Sequence, residues 1–204
     1  MIAFVEYYRM MGVGRFTFYR DTVDPRIDTI LDYYTRERLA TVVEWRISEF
    51  YVYERNLRVD GIFAALNDCL YRSSFHESYR YVAGVDIDEY IVPRIHDDIA
   101  TMMDYLNDRR SAQSLTGAWI FRNMFFYLMH PDDTRPLGVG LPKLKIHTKT
   151  MRWREINRPG DRSKFIVQGR DVIDVGNHHV WKLKRPWSLF GARYKEVVVD
   201  PEIA

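Results

Sequence analysis

The sequence has a single cysteine, almost no net charge and no long apolar run. Because Cys69 stands alone, no disulfide can form within the 204 residues, which excludes a disulfide-stapled fold. Lys and Arg number 30 against 28 Asp and Glu, and the net charge of +2 argues against a dedicated nucleic-acid binder, which needs a concentrated basic surface. No apolar stretch is long enough to span a bilayer, and no signal-peptide pattern is present, so neither segment is expected within these residues.

The remaining composition is that of an ordinary globular domain. Hydrophobic residues make up 47% and charged residues 28%, and the length is ample for one hydrophobic core. No internal repeat, low-complexity tract or linker divides the sequence, which predicts a single domain over residues 1–204. Aromatic residues are abundant at 15%, and packing in the core explains them more economically than sugar binding does.

Helical and strand patterns alternate along the first half of the chain. An Asp-Pro pair at residues 24–25 predicts a helix start, because Asp caps the first turn and Pro is favoured at the first helical position. The periodicity then predicts a strand over residues 39–45, a helix from residue 60 or 61 and a strand over residues 79–85. This alternation predicts an α/β fold with a mostly parallel, doubly wound central sheet flanked by helices.

The second half is read as one further helix, which begins near residue 97 or 98, followed by short strands. These strands are predicted at residues 114–121, 125–129, 163–167, 172–175 and 197–199. A loop dense in turn-forming residues is predicted at residues 130–140.

Three acids follow the 79–85 strand directly. Asp86, Asp88 and Glu89 are bounded on both sides by apolar runs, and acids between buried segments need a partner. On extended backbone, side chains two residues apart point to the same side, so Asp86 and Asp88 are predicted to converge. Ligands of doubly wound sheets bind beyond the carboxyl ends of strands, and converging carboxylates suit Mg²⁺ or Mn²⁺. A cation site is one interpretation of the motif, and a solvated turn or a helix cap is the other.

Four segments of the sequence resemble the glycosyltransferase family 92 domain, also called the DUF23 domain. They are residues 4–19, 65–72, 84–93 with the Asp-Ile-Asp-Glu motif, and 161–178, and their order and spacing extend over nearly the whole chain. The resemblance implies a GT-A-like fold, a Rossmann-like fold that binds a UDP-sugar donor with a divalent metal, usually Mn²⁺, at an Asp-x-Asp (DxD) motif. It also implies transfer of a hexose, with galactose suggested and an inverting course, to a glycan, glycoprotein or glycolipid acceptor.

The resemblance assigns the metal to particular residues. Asp86 and Asp88 match the family's Asp-x-Asp motif. His178 matches the late histidine that commonly completes the metal shell in GT-A folds, while the adjacent His179 stays open as the alternative ligand.

The donor diphosphate is assigned in the same way. Asp86 and Asp88 are expected to bind it through the metal, and Glu89 matches the acid that follows them. Arg162 and Lys164 match a basic stretch that faces phosphate charge.

Members of the family are expected to have sequence upstream of Met1. That sequence includes a first sheet strand, which in GT-A folds contacts the nucleotide base, and the stem and membrane anchor of a Golgi-type transferase. The resemblance therefore implies an N-terminally truncated member whose full-length protein lies in the Golgi membrane and faces the lumen.

Two sets of residues remain open from the sequence. An inverting transferase needs a base for the acceptor hydroxyl, and the candidates are Asp132, Asp133, Glu155 and Asp174. Four tryptophans could stack on sugar faces: Trp119, Trp153, Trp181 and Trp187. Packing in the core is the simpler interpretation of each.

Two alternatives to a transferase are carried forward. One is a sugar- or nucleotide-binding domain without catalysis. The other is a metal-dependent phosphohydrolase, since Asp-x-Asp after a strand also serves phosphoryl transfer. The residues that follow Asp88 lack the Gly/Thr-type loop that such hydrolases generally have, which disfavours this second alternative.

Overall fold

The computed structural model describes residues 1–46, 61–109, 114–135, 138, 140, 144–184 and 193–204. Its helices are α1 (Ile2–Met10), α2 (Pro25–Arg36), α3 (Ile62–Tyr71, continued by a π-helical turn Arg72–His76), α4 (Ile99–Asp108) and the short α5 (Lys145–Thr148). Its strands are β1 (Phe16–Arg20), β2 (Ala40–Glu44), β3 (Tyr81–Gly84), β4 (Ser114–Phe121), β5 (Lys164–Gln168), β6 (Val172–Val175), β7 (Val180–Leu183) and β8 (Arg193–Val198). Helices and strands are therefore mixed, as predicted.

The first unit is a parallel β–α–β crossover. β1 and β2 pair in parallel, and α2 connects them. The helix begins where the sequence predicts, because the Asp24 carboxylate accepts a hydrogen bond from the Arg26 amide at 2.9 Å and Pro25 is its first residue.

The larger sheet has four strands in the order β3-β5-β4-β8. β5 is antiparallel to both β3 and β4, whereas β4 and β8 are parallel. β3, β4 and β8 therefore run in one direction, and β5 alone runs against them. The predicted mostly parallel ladder is wrong for this sheet. β5 lies between β3 and β4 and pairs antiparallel with both, and antiparallel pairing is slightly more stable per residue than parallel pairing.

The last described elements depart from the predictions in detail. β6 matches its prediction, but it pairs in an antiparallel hairpin with β7, a strand that is not among those predicted. The strand predicted at residues 125–129 is reduced to one bridge, between Phe126 and Arg152. The last strand is predicted at residues 197–199. β8 ends at Val198, one residue before the predicted end, but begins at Arg193, four residues before the predicted start.

Two apolar clusters lie on the two faces of the four-stranded sheet. Alternate residues of β4 and β5 supply them, with Trp119 and Ile166 on the α1 and α4 side, and Ala118 and Phe165 on the α3 side. Trp119 is 1% exposed and anchors the first cluster. In the described parts of the chain, no helix has both the length and the hydropathy needed to cross a bilayer.

Candidate functional site at the carboxyl end of β3

Three chain segments meet at one edge of the four-stranded sheet. Gly84, the last residue of β3, pairs with Phe165, and Phe121, the last residue of β4, pairs with Lys164. The register therefore places the acids that follow β3 beside the first residue of β5. This is the strand end at which the sequence predicts a ligand site.

The acids lie on a tight turn rather than on a continued strand. The Glu89 amide donates to the Asp86 carbonyl at 3.0 Å, and the Asp86 amide donates to the Glu89 carboxylate at 3.3 Å. β3 ends at Gly84, so the alternation of extended backbone does not reach Asp88. The predicted convergence of Asp86 with Asp88 is therefore replaced by a convergence of Asp86 with Glu89.

The cation between these two carboxylates is the ammonium of Lys164. Its Nζ lies 2.8 Å from Asp86 Oδ2, 3.2 Å from Glu89 Oε2 and 3.1 Å from the Asn177 side-chain oxygen. The lysine side chain is only 5% exposed, whereas that of Asp86 is 53% exposed. A buried ammonium is stable only when it is paired and hydrogen-bonded, and this one has three oxygen partners on one side of the sheet.

Helix α1 holds the chain that leaves the turn. The Tyr8 hydroxyl accepts from the Ile91 amide at 2.9 Å and donates to the Glu89 carbonyl at 3.2 Å, and the Tyr7 hydroxyl donates to the Ile91 carbonyl at 2.8 Å. Burial raises the pKa of Tyr7 to about 12 and also raises the pKa of Tyr8, so both hydroxyls stay protonated at neutral pH. These two tyrosines fix the backbone on the far side of the acids.

The histidine pair lies next to the lysine without touching the acids. One ring nitrogen of His178 lies 3.2 Å from the Ser163 carbonyl, and the other lies 3.3 Å from the Asn177 amide nitrogen. His179 packs instead against Gly160, where an added Cβ would come within 2.9 Å of its ring. Of the two, His178 is therefore the one joined to the Lys164 network, through Asn177.

The metal shell expected from Asp86, Asp88 and His178 is not assembled in this arrangement. Over the described ranges, no three His, Cys, Asp or Glu side chains converge closely enough to hold a metal ion. The turn still carries the hard carboxylate oxygens that Mg²⁺ and Mn²⁺ favour. The ligand atoms of the turn therefore suit a divalent cation. In this structure the positive charge beside the carboxylates is the ammonium of Lys164.

Arg162, the second predicted basic residue, lies outside this network. It is exposed, and its backbone adopts a φ of +58° in the turn before β5. Among the described contacts, none joins it to the acid turn.

The four candidate bases are dispersed. A hydrogen bond from Lys149 holds the pKa of Asp132 below its usual range, and hydrogen bonds from Arg135 do the same for Asp133. A base with a depressed pKa is a poor proton acceptor at neutral pH. Glu155 lies in the irregular segment that follows α5, and Asp174 lies on β6, three residues before Asn177.

The tryptophans separate into core and surface residues. Trp119 is buried, as the core-packing interpretation predicts. Trp181 is 50% exposed and packs against Phe63 with ring centroids 4.7 Å apart, while Trp153 is 60% exposed beside the Tyr127 ring. Trp187 lies outside the described residues.

A cavity adjoins the turn on its other side. It has a volume of about 450 Å³ and lies between β1 and β3. Val85 and Ile87, which flank Asp86 in sequence, contribute to its lining, together with Phe16 and Phe18 of β1.

Sequence reasoning did not single out Tyr7, Tyr8 or Asn177. The partners of the two tyrosines are more than 80 residues away along the chain. Asn177 follows β6, and its partner Lys164 lies 13 residues before it. None of these long-range contacts leaves a local signal in the sequence.

Comparison with known proteins gives a consistent answer. The family model described as glycosyltransferase family 92 matches residues 1–204. A glycosyltransferase family 92 protein of Caenorhabditis elegans is 33% identical over 113 residues, which cover 52% of this chain. The matched segment spans 22% of the length of that relative. Because the family match extends over the full sequence, the chain belongs to glycosyltransferase family 92.

Proposed function

We propose that this chain is the donor-binding part of a transferase that moves a hexose from a UDP-sugar to a glycan acceptor. The observation that carries the proposal is the acid turn at the carboxyl end of β3 with Lys164 seated in it. In a chain of this family, that arrangement offers both signs of charge that a metal-bound diphosphate requires. The β1–α2–β2 crossover and the position of the turn support a GT-A arrangement.

The donor would lie across the turn, with its base in the neighbouring cavity. The cavity lining contributed by Val85 and Ile87 is apolar and adjoins Asp86 directly, which suits a flat uracil ring. Asp86, Asp88 and Glu89 would hold Mn²⁺, which when bound neutralises charge on the leaving diphosphate as a Lewis acid. Lys164 would donate to a phosphate oxygen from a site that excludes water, where the interaction is strongest.

Proton removal from the acceptor is assigned to Glu155 or Asp174 for an inverting reaction. Asp132 and Asp133 are held by cations and are therefore the weaker candidates. Galactose as the sugar, a glycoprotein or glycolipid as acceptor, and a Golgi membrane location of the whole protein belong to the same proposal. They rest on family membership.

A binding domain without catalysis is the second candidate. The pairing of Asp132 with Lys149 and of Asp133 with Arg135 favours it, because it makes two of the four candidate bases poor proton acceptors. No described feature favours the phosphohydrolase.

Hydrolysis and transfer assays with a panel of UDP-sugars and Mn²⁺ test the proposal. We expect turnover with one UDP-hexose and a loss of at least about 100-fold in Asp88→Asn, since even outer-shell metal partners contribute about 10- to 100-fold. Asp104→Asn is the matched control, because Asp104 is 69% exposed on α4 and away from the turn. Retained UDP binding without turnover would favour the binding domain. Turnover that Asp88→Asn leaves unchanged would show that the site is elsewhere.

A further inference from the structure

The ammonium of Lys164 is already surrounded by three oxygen atoms. It donates hydrogen bonds to Asp86 at 2.8 Å and to Asn177 at 3.1 Å, and it forms an ion pair with Glu89 at 3.2 Å. The side chain is 95% withdrawn from solvent, so water does not compete for these donors. A phosphate oxygen can contact Lys164 only by displacing one of the three oxygens.

The charges at the turn make such an exchange conditional. Asp86, Asp88 and Glu89 carry three negative charges against one positive charge on Lys164, so the turn has an excess of two negative charges. A nucleoside diphosphate sugar adds about two more at pH 7, and without a metal it would be repelled. A divalent ion alone would have to share carboxylates that Lys164 already holds.

We infer that Lys164 is an internal counter-ion that couples metal binding to donor binding. When a diphosphate arrives, the ammonium transfers from the carboxylates to a phosphate oxygen, and the released carboxylates take the divalent ion. The salt bridges of Lys164 with Asp86 and Glu89 oppose the binding of both ligands. Each ligand breaks them when it binds, so that the binding of one favours the binding of the other. This inference rests on the proposed function, because it takes the donor to be a nucleoside diphosphate.

Direct binding measurements on the full chain test the coupling. Free Mn²⁺ is followed by electron paramagnetic resonance, with and without UDP, and UDP binding is followed by calorimetry. In the wild-type chain we expect UDP to tighten Mn²⁺ binding by at least about tenfold, within the range of about 5- to 150-fold typical of coupled sites. In Lys164→Met we expect Mn²⁺ alone to bind at least about tenfold tighter than in the wild type, and UDP with Mn²⁺ to bind more weakly.

Lys149→Met is the matched control. Lys149 is also a nearly buried lysine, 10% exposed, with an aspartate partner at 2.9 Å, but it contacts no residue of the acid turn. We expect its variant to leave both affinities within about twofold of the wild type, as for a residue with no shared partners. Circular dichroism and thermal melting verify folding, and Lys164→Gln, which keeps a polar donor without the charge, replaces the Met variant if that variant unfolds.

The outcomes separate the two proposals. If the wild type binds no UDP in the presence of Mn²⁺, the proposed function fails. If it binds UDP but Mn²⁺ affinity is the same with and without UDP, the counter-ion inference alone fails, and this outcome needs no variant. Unchanged Mn²⁺ affinity in a folded Lys164 variant would also overturn the inference.

Discussion

Two lysine–aspartate pairs of this chain have nearly the same geometry and different surroundings. Lys164 lies 2.8 Å from Asp86, and Lys149 lies 2.9 Å from Asp132; the two aspartates are 53% and 51% exposed. The further partners of Lys164 are side chains, whereas Lys149 donates to the backbone carbonyl of His130 at 2.5 Å.

The difference shows what makes a buried ion pair exchangeable. Carboxylate and amide side chains can rotate away when a ligand offers a better partner, but a backbone carbonyl is fixed by the fold. Lys164 also begins a strand of the main sheet, while Lys149 follows the short helix α5 in the outer segment, by which we mean residues 122–135 and 144–157. The first pair has the properties of a site, and the second has those of a structural clamp.

The largest expected difference between the main sheet and the outer segment is in the contribution of one tryptophan in each to stability. Trp119 is 1% exposed below the sheet edge, and Trp153 is 60% exposed in the outer segment. We expect Trp119→Ala to lower the free energy of unfolding by about 3–5 kcal/mol, and Trp153→Ala to change it by less than about 0.5 kcal/mol. Urea denaturation of both variants measures the difference. Equal losses would mean that the outer segment packs as a core.

A smaller change tests whether α1 positions the acid turn. Tyr8→Phe removes the hydroxyl that joins the Ile91 amide and the Glu89 carbonyl. An unsatisfied buried donor costs about 1–3 kcal/mol, and we also expect weaker UDP binding with Mn²⁺, because the turn loses one anchor. Tyr127→Phe in the outer segment is the control for UDP binding. Stability loss with unchanged UDP affinity in Tyr8→Phe would contradict a positioning role.

The smallest effect concerns the outer segment at acid pH. Arg135 and Thr150 bond the Asp133 carboxylate, and the hydrogen bonds from Arg135 hold its pKa well below the usual range in the folded state. The stability that this provides is fully present above the ordinary aspartate pKa of about 3.9 and is lost progressively as the pH falls from there through the depressed pKa of the folded state. Asp133→Asn should therefore lower the urea midpoint more at pH 7 than at pH 2.5. A constant difference across this range would exclude an ionic cause.

Local sequence signals predicted the elements that local physics determines. The Asp24 cap and the Asp98 cap mark the beginnings of α2 and α4, and the apolar run of β4 gives its bounds without error. They also placed the acids at the carboxyl end of a strand, although β3 is an edge strand in which only Val82 is buried and not the buried strand that was predicted. The starts of α2 and α4 and both bounds of β4 were therefore predictable from local sequence.

The detail of the site depended on long-range pairing. Lys164 reaches Asp86 across 78 residues, and only the β3–β5 register brings the two together. The sequence left a turn at residues 86–89 open as one of two interpretations, because acids are compatible with both extended and turn backbone. The direction of β5 is likewise not determined by the strand's own sequence, because its apolar pattern suits parallel and antiparallel pairing alike.

The close approach at Gly84 has a consequence for rates. A Cβ at this position would lie 2.5 Å from the buried ring of Phe165, so the end of β3 rests on that ring and cannot move towards it. Tyr8 fastens the chain again at Glu89. With both ends of the turn held, partners at Lys164 change by rotation of side chains, which takes picoseconds to nanoseconds at exposed positions and is far faster than loop motion. Under the proposed function, donor and cation would therefore enter at a rate limited by diffusion and by loss of hydration from the cation, with no slow opening step.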